Sequence, residues 1–261
     1  MTFDWRGTTL RVSENRDFLA FAFSQFLYGE VTGIQCGHWL YRAPDLDAAQ
    51  FFARQATEEL SHVRAFREVL TRLGAAPQKA HPVVRYLSSG MMPDSFAEHV
   101  ALEMALGEGL VLMVMYALAD TIDDPEIVRI IEAVAVQEER HVDFGERRTA
   151  LELQKNPSLR SGLIGQCLVS LSGVKLLARA LERRAGDGPA VLAHLPEFVN
   201  ALIAAAELRL TRIGLLKKPL ASMGRVERTA LMARAITGGA LGWMVPRQRT
   251  KLLTETYLDQ L

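Results

Sequence analysis

The stretch Gln137-Glu138-Glu139-Arg140-His141, inside the run from Val134 to Glu146, decides how the rest of the chain is read. A carboxylate three residues before a histidine lies about 60° from it around a helix, so the two side-chain tips can meet at one ion. A second copy stands at Glu58-Glu59-Leu60-Ser61-His62. Each copy offers two adjacent glutamates, and only Glu59 and Glu138 keep the same offset to their histidines.

The repetition extends upstream. Glu30 lies 29 residues before Glu59, Glu108 lies 30 before Glu138, and each follows a glycine. Glu103 competes with Glu108, but it sits a turn and a half earlier on an α-helix and spoils the matched spacing. The chain therefore reads as two halves, each contributing Glu and then Glu-x-x-His. The ligand set is Glu30, Glu59, His62, Glu108, Glu138 and His141, the inventory of a dinuclear metal site inside a four-helix bundle. Glu108 lies among residues that favour burial, from Leu106 to Met115. An unpaired carboxylate there would be expensive or would protonate, and a divalent ion removes the difficulty. Oxygen-rich ligation with two imidazoles suits iron or manganese better than zinc. Two such ions favour redox chemistry with O2 over hydrolysis.

The periodicity predicts an all-α protein. A first helix is expected from Ser13–Glu14, with a capping role for that pair, to about Tyr41, where Ala43-Pro44 stops it. Asp45 or Asp47 caps a second helix ending at Leu73-Gly74. Residues 75–92 read as one long crossover. Pro93-Asp94-Ser95 opens a third helix to about Asp120, and Asp123-Asp124-Pro125 opens a fourth to about Lys155. Short links within each pair and one long link between pairs give two antiparallel helix pairs. Three further helices (158–184, 196–216 and 225–243) and a short last one from Arg247 should pack on that bundle. Residues 1–261 are read as a single domain, with the bundle over 14–155 and the C-terminal helices over 158–261.

Bulk properties narrow the function. The 261 residues are 49% hydrophobic and 23% charged, ordinary values for a globular protein with a buried core. Thirty basic residues balance thirty acidic ones, which gives no electrostatic case for nucleic acid. The opening residues lack a basic segment followed by an apolar run, so no signal peptide is expected. Ala101–Ala119 carries Glu103 and Glu108 and reads as a buried helix, so no membrane span is expected and the cytoplasm is the default address. Cys36 and Cys167 read as reduced core residues.

Weaker signals remain. Gly29, Gly33 and Gly37 recur every four residues and make either a close helix contact or a smooth wall beside a substrate. Gly29, Gly33, Leu110 and Tyr116 are candidate substrate-lining residues, although core packing explains Tyr116 as well. Asp143 and Glu146 are placed to accept an imidazole N–H or to stand in solvent. Glu207 is expected to pair with an arginine. His38, His81, His99 and His194 have no matching partner and are given no role.

These residues resemble the ferritin-like superfamily of non-haem dinuclear metal proteins, over 14–155. Cyanobacterial aldehyde-deformylating oxygenases have a similar Gly-Glu on the first ligand helix, a sequence like Gln137–Glu146, and later helices including one like Leu202–Gly214. The di-iron hydroxylase of a modified tRNA adenosine is similar over Thr57–His62. Ferritins and rubrerythrins share the ligands, but no rubredoxin-like Cys-x-x-Cys is present. The resemblance implies two iron ions, or a manganese–iron pair. It also implies an O2-dependent oxidoreductase acting on an apolar or amphipathic small molecule, with an electron donor such as ferredoxin. Glu30 or Glu108 is expected to bridge the ions or shift during turnover. An iron- or peroxide-handling protein without an organic substrate is the alternative, and a tRNA-modifying hydroxylase a further one. A monomer or homodimer is expected.

Overall fold

The computed structural model describes residues 3–90, 93–184 and 188–244. Among them the architecture is helical and has no strand; one isolated bridge joins Leu10 to Ile122. Helix α1 spans Val12–Gly33 and α2 Leu46–Arg72. A short α3, Pro82–Arg85, breaks the crossover. Then come α4 over Phe96–Thr121, α5 over Pro125–Lys155, α6 over Arg160–Arg184, α7 over Leu195–Arg212 and α8 over Arg225–Met244.

Local chemistry sets most of the boundaries. Asp45 caps α2 by accepting the Ala48 N–H at 2.8 Å. Ser95 and Glu98 form a capping box at the start of α4. Asp124 accepts two backbone N–H groups ahead of α5, with Pro125 in the first turn. Ser13, expected to cap α1, does not. The helix begins at Val12, whose N–H donates to Asp123 Oδ1 at 2.9 Å, so a residue from the α4–α5 link supplies the cap.

The first helix also changes pitch before its expected end. From Ile34 to Arg42 it tightens into a 3₁₀ coil, which aligns residues three apart and buries Cys36 and Trp39 together. The third helix changes in the opposite sense, loosening into a π-helix over His99–Glu108. Helix α7 stops at Arg212, short of the expected Leu216, because Gly214 takes a left-handed φ of 78° and the Leu215 N–H turns back to Leu210. The last helix expected from Arg247 lies outside the described residues.

Helix α1 packs along α2, α4 along α5, and α2 also meets α5. One apolar cluster lies among these four, with Phe23, Phe66, Met115 and Ile131 fully buried. Each large side chain so buried contributes roughly 2–3 kcal/mol. A second cluster joins the other flank of α4 to α6 and α7 through Leu106, Leu110, Cys167, Leu171, Leu202 and Leu210.

That double burial explains a departure from expectation. Three helices, Phe96–Thr121, Pro157–Glu182 and Ala190–Arg212, are long and apolar enough to cross a membrane by length and composition. The expected lack of such a segment does not hold. A helix packed on two flanks needs no polar face, so α4 reaches a mean hydropathy of 1.7 while carrying buried ligand-type residues.

Candidate metal centre

Helix α1 delivers Glu30, α2 delivers Glu59 and His62, α4 delivers Glu108, and α5 delivers Glu138 and His141. All but Glu108 are fully buried, and Glu108 is intermediate. Their atoms form two groups of ligating geometry, Glu30–Glu59–His62–Glu138 and Glu59–Glu108–His141, each within 4.8 Å. The spacing argument therefore brings together the six residues it selected.

Glu59 and Glu138 each present one oxygen to either histidine. His62 Nδ1 lies 3.0 Å from Glu138 Oε1 and 3.8 Å from Glu59 Oε2. His141 Nδ1 lies 3.4 Å from Glu138 Oε2 and 3.5 Å from Glu59 Oε1. Glu30 belongs to the His62 group, at 3.1 Å from Nδ1, and Glu108 to the His141 group. The carboxylates lying between the two groups are thus Glu59 and Glu138, not Glu30 or Glu108. The reason is geometric: a residue one turn from its own histidine, on helices that face each other, reaches both.

The outer ring nitrogens are held across the pair. His62 Nε2 lies 3.1 Å from Gln137 Oε1, and His141 Nε2 lies 2.8 Å from Glu58 Oε2. Gln137 and Glu58 occupy the same place in the two halves, immediately before the ligand glutamate. Each therefore orients the other half's histidine and leaves Nδ1 turned inward. Arg140, at 2.7 Å, and Arg54, at 3.3 Å, complete the Glu58 site.

The electrostatics of the centre is that of crowded, buried carboxylates. Burial pushes Glu30 and Glu108 well above the usual carboxylate range, and neighbouring carboxylates push both further. Burial works against ionising Glu138, but the adjacent His141 and His62 imidazoles outweigh it and bring its pKa down to about 2. Burial would depress His62, and its hydrogen bonds to Glu138, Glu30 and Glu59 raise it instead. Glu108 Oε2, Glu138 Oε2 and His141 Nδ1 are buried with no hydrogen-bond partner. Such orphaned atoms are expensive unless something fills the space between them. Four carboxylates and two neutral imidazoles are balanced in charge by two divalent cations. The donor set fits a metal pair.

Surrounding residues preserve this arrangement. A Cβ on Gly33 would sit 2.6 Å from Glu59 Oε2, so glycine makes room for that carboxylate. Gln55 Nε2 donates to Glu108 Oε1 at 3.0 Å and reaches Glu59 Oε1 at 3.4 Å. The sequence reading missed Gln55, although its place one turn before Glu59 on the same face was visible. Phe51 stands edge-on to the His141 ring, with centroids 5.9 Å apart, and stacks on Phe144 at 3.8 Å, closing that side to water.

A cavity of about 440 Å³ opens onto the centre. Its walls include Glu30, Glu59, Glu108 and Glu138, and it extends past Leu110 and Phe26 to Leu202 on α7. Gly29 and Gly33 line it; no Cβ-distance neighbour crowds Gly29. Tyr116, expected there, is not among its lining residues: its hydroxyl donates to Glu139 Oε1 instead.

Other expectations resolve as follows. Asp143 pairs with Arg147, and Glu146 pairs with Arg209 and Arg212, so neither holds a ligand histidine. Glu207 accepts the Leu220 N–H at 3.0 Å and pins the turn after α7, where an arginine was expected. Cys36 and Cys167 are free and buried. His99, given no role from sequence, is wholly buried with Nδ1 2.7 Å from Glu103 Oε2. No family model matches the chain, and none of the curated proteins matches it.

Proposed function

We propose that this chain is a ferritin-like, non-haem di-iron (or manganese–iron) oxidoreductase that uses O2 to oxidise an apolar or amphipathic small organic molecule. The observation that carries this reading is a largely apolar cavity ending on four carboxylates of the cation-fitting centre. Its volume lies within the range of small-molecule sites, roughly 300–1,000 Å³. Helices α1, α2, α4 and α5 are read as a four-helix bundle and α6–α8 as part of the same domain, with α6 and α7 walling the cavity on its far side.

In this reading Glu30, Glu59, His62 and Glu138 hold one ion and Glu59, Glu108, Glu138 and His141 the other. When bound, the pair supplies the redox chemistry that reduces O2 at the expense of the substrate and an external donor such as ferredoxin. The chain's own residues do the rest. Glu58 and Gln137 fix the imidazoles, and Gln55 holds Glu108 from one side. Phe51 and Phe144 exclude water beside His141. The largely apolar cavity walls would place a hydrocarbon chain beside the carboxylates.

An iron- or peroxide-handling protein shares the ligands but needs no apolar chamber. The discriminating experiment is O2 uptake by reduced, iron-loaded protein with and without medium-chain aldehydes, alcohols and amines. Substrate-stimulated uptake with recovery of an oxidised organic product is expected. Iron-dependent uptake that no organic compound alters, together with cage-like assembly, would contradict the oxygenase reading.

A further inference from the structure

The cavity has five acidic lining residues, and four of them belong to the cation-fitting centre. The fifth is Glu103. On an α-helix a residue five before Glu108 would point about 140° away from it. The π-helix over His99–Glu108 replaces that geometry with i to i+5 stacking, which sets Glu103 one turn below Glu108 on the same face. A Cβ added to Gly107 would sit 3.1 Å from the Leu102 carbonyl oxygen, so the π-helix favours glycine there.

Glu103 is held from behind. Its Oε2 meets His99 Nδ1 at 2.7 Å, and the imidazole is 0% exposed whereas the Glu103 side chain is 31% exposed. Trp39 stacks on that imidazole with centroids 4.9 Å apart, and Phe52 leans on it at 5.3 Å. Among the described residues His99 Nε2 has no hydrogen-bond partner, and its Nδ1 meets Glu103. A histidine held in an aromatic slot thus grips one carboxylate oxygen of a residue that lines the cavity. No Lys, Arg or His lines the cavity among the described residues, so nothing there would pair with an anionic head group.

Resting on the proposed oxidation only in taking this cavity as the substrate's, we propose that Glu103, positioned by His99, anchors the polar end of the substrate. The molecule it selects is a hydrocarbon chain with a hydrogen-bond-donating head, an amine or alcohol, in preference to a carboxylate. An accepting oxygen fixed beside the ligand carboxylates would hold that head near the centre while the chain runs toward Leu110 and Leu202. A carboxylate head would meet like charge and would lose its own hydration without compensation.

The test is calorimetric binding of decylamine, decan-1-ol and decanoate to the full chain, metal-free and zinc-treated, with zinc content measured on the same samples. Wild type should bind decylamine about tenfold or more tightly than decanoate in both samples. Glu103→Leu should lose about tenfold in decylamine affinity with unchanged zinc content. Glu103→Gln retains an acceptor for His99 and so guards against a folding failure. It turns an N–H toward the cavity and should erase or reverse the preference. Decanoate binding as tightly as decylamine to wild type, or the wild-type ranking persisting in both variants, would overturn the assignment. Absent zinc binding with a Glu103-dependent amine preference would instead sink the metal reading and leave the anchor standing.

Discussion

The two histidines of the centre sit in matched frames with unmatched partners. His62 meets the neutral amide of Gln137 at 3.1 Å, and His141 meets the carboxylate of Glu58 at 2.8 Å. Burial opposes ionising Glu58, but hydrogen bonds with Arg140 and His141 win and hold its carboxyl below the usual range. A carboxylate behind an imidazole makes the opposite nitrogen a better donor than an amide does. The sequence repeats its halves in position while varying them in charge. The difference teaches that the two ion sites should be unequal in affinity, with the His141 side the tighter.

The most damaging way to break this inequality is Glu58→Ala. It should weaken the His141-side ion about 10–100-fold and leave the other nearly intact, read as a split in a two-step metal titration. The reciprocal change sharpens it. Gln137→Glu should tighten the His62-side ion by up to about tenfold and bring the two steps together.

A third prediction concerns Glu30 and Glu108, which differ in the same sense. Glu30 has His62 as a partner; Glu108 has only Gln55 and an orphaned oxygen. Burial raises Glu108 well above its ordinary value of 4.5, so the folded metal-free chain holds a proton that the unfolded chain releases. Stability therefore falls as pH rises above about 4.5. Glu108→Gln should stabilise metal-free protein by about 1 kcal/mol at neutral pH, read as a higher Tm, while impairing metal binding. The gain should shrink as pH is lowered toward 4.5.

The smallest effect has the opposite sign. Asp45 is held below its ordinary 3.8 by hydrogen bonds from Arg148 and the Ala48 N–H, tying α2 to α5 at the surface. Its stabilisation is present above pH 3.8 and is lost as pH falls through the lowered value. Solvent screens the pair, so Asp45→Asn should cost about 0.5 kcal/mol at pH 7 and nothing in strong acid, by thermal melts.

The six clustered residues were legible because Glu59–His62 and Glu138–His141 share a helical offset, which survives burial, and Glu30 and Glu108 precede them at matched distances. The helix order and the caps at Asp45, Ser95 and Asp124 were legible for the same local reason. What escaped depended on a change of pitch or on a distant partner. Glu103 loses to Glu108 on repeat spacing, which is blind to the π-helix that sets both on one face, and the partner that gives His99 a place is Glu103 itself. Tyr116 was aligned with Glu108 by periodicity, but its hydroxyl found Glu139 on the neighbouring helix. The α1 cap arrives from Asp123, more than a hundred residues away, and no local signal announces it. The apolar stretch of α4 reads as a buried helix because of Glu103 and Glu108, but that α6 and α7 cover its outer flank is a tertiary fact no local pattern carries.

The central claim is tested most directly by the metal content of protein reconstituted anaerobically with iron and manganese, in wild type and Glu138→Ala. Glu138 lies between both histidines, so its loss should empty both positions. The account predicts about two transition-metal ions per wild-type chain and nearly none in the variant. Wild-type protein that refuses metal, or a variant that retains the full complement, would contradict it.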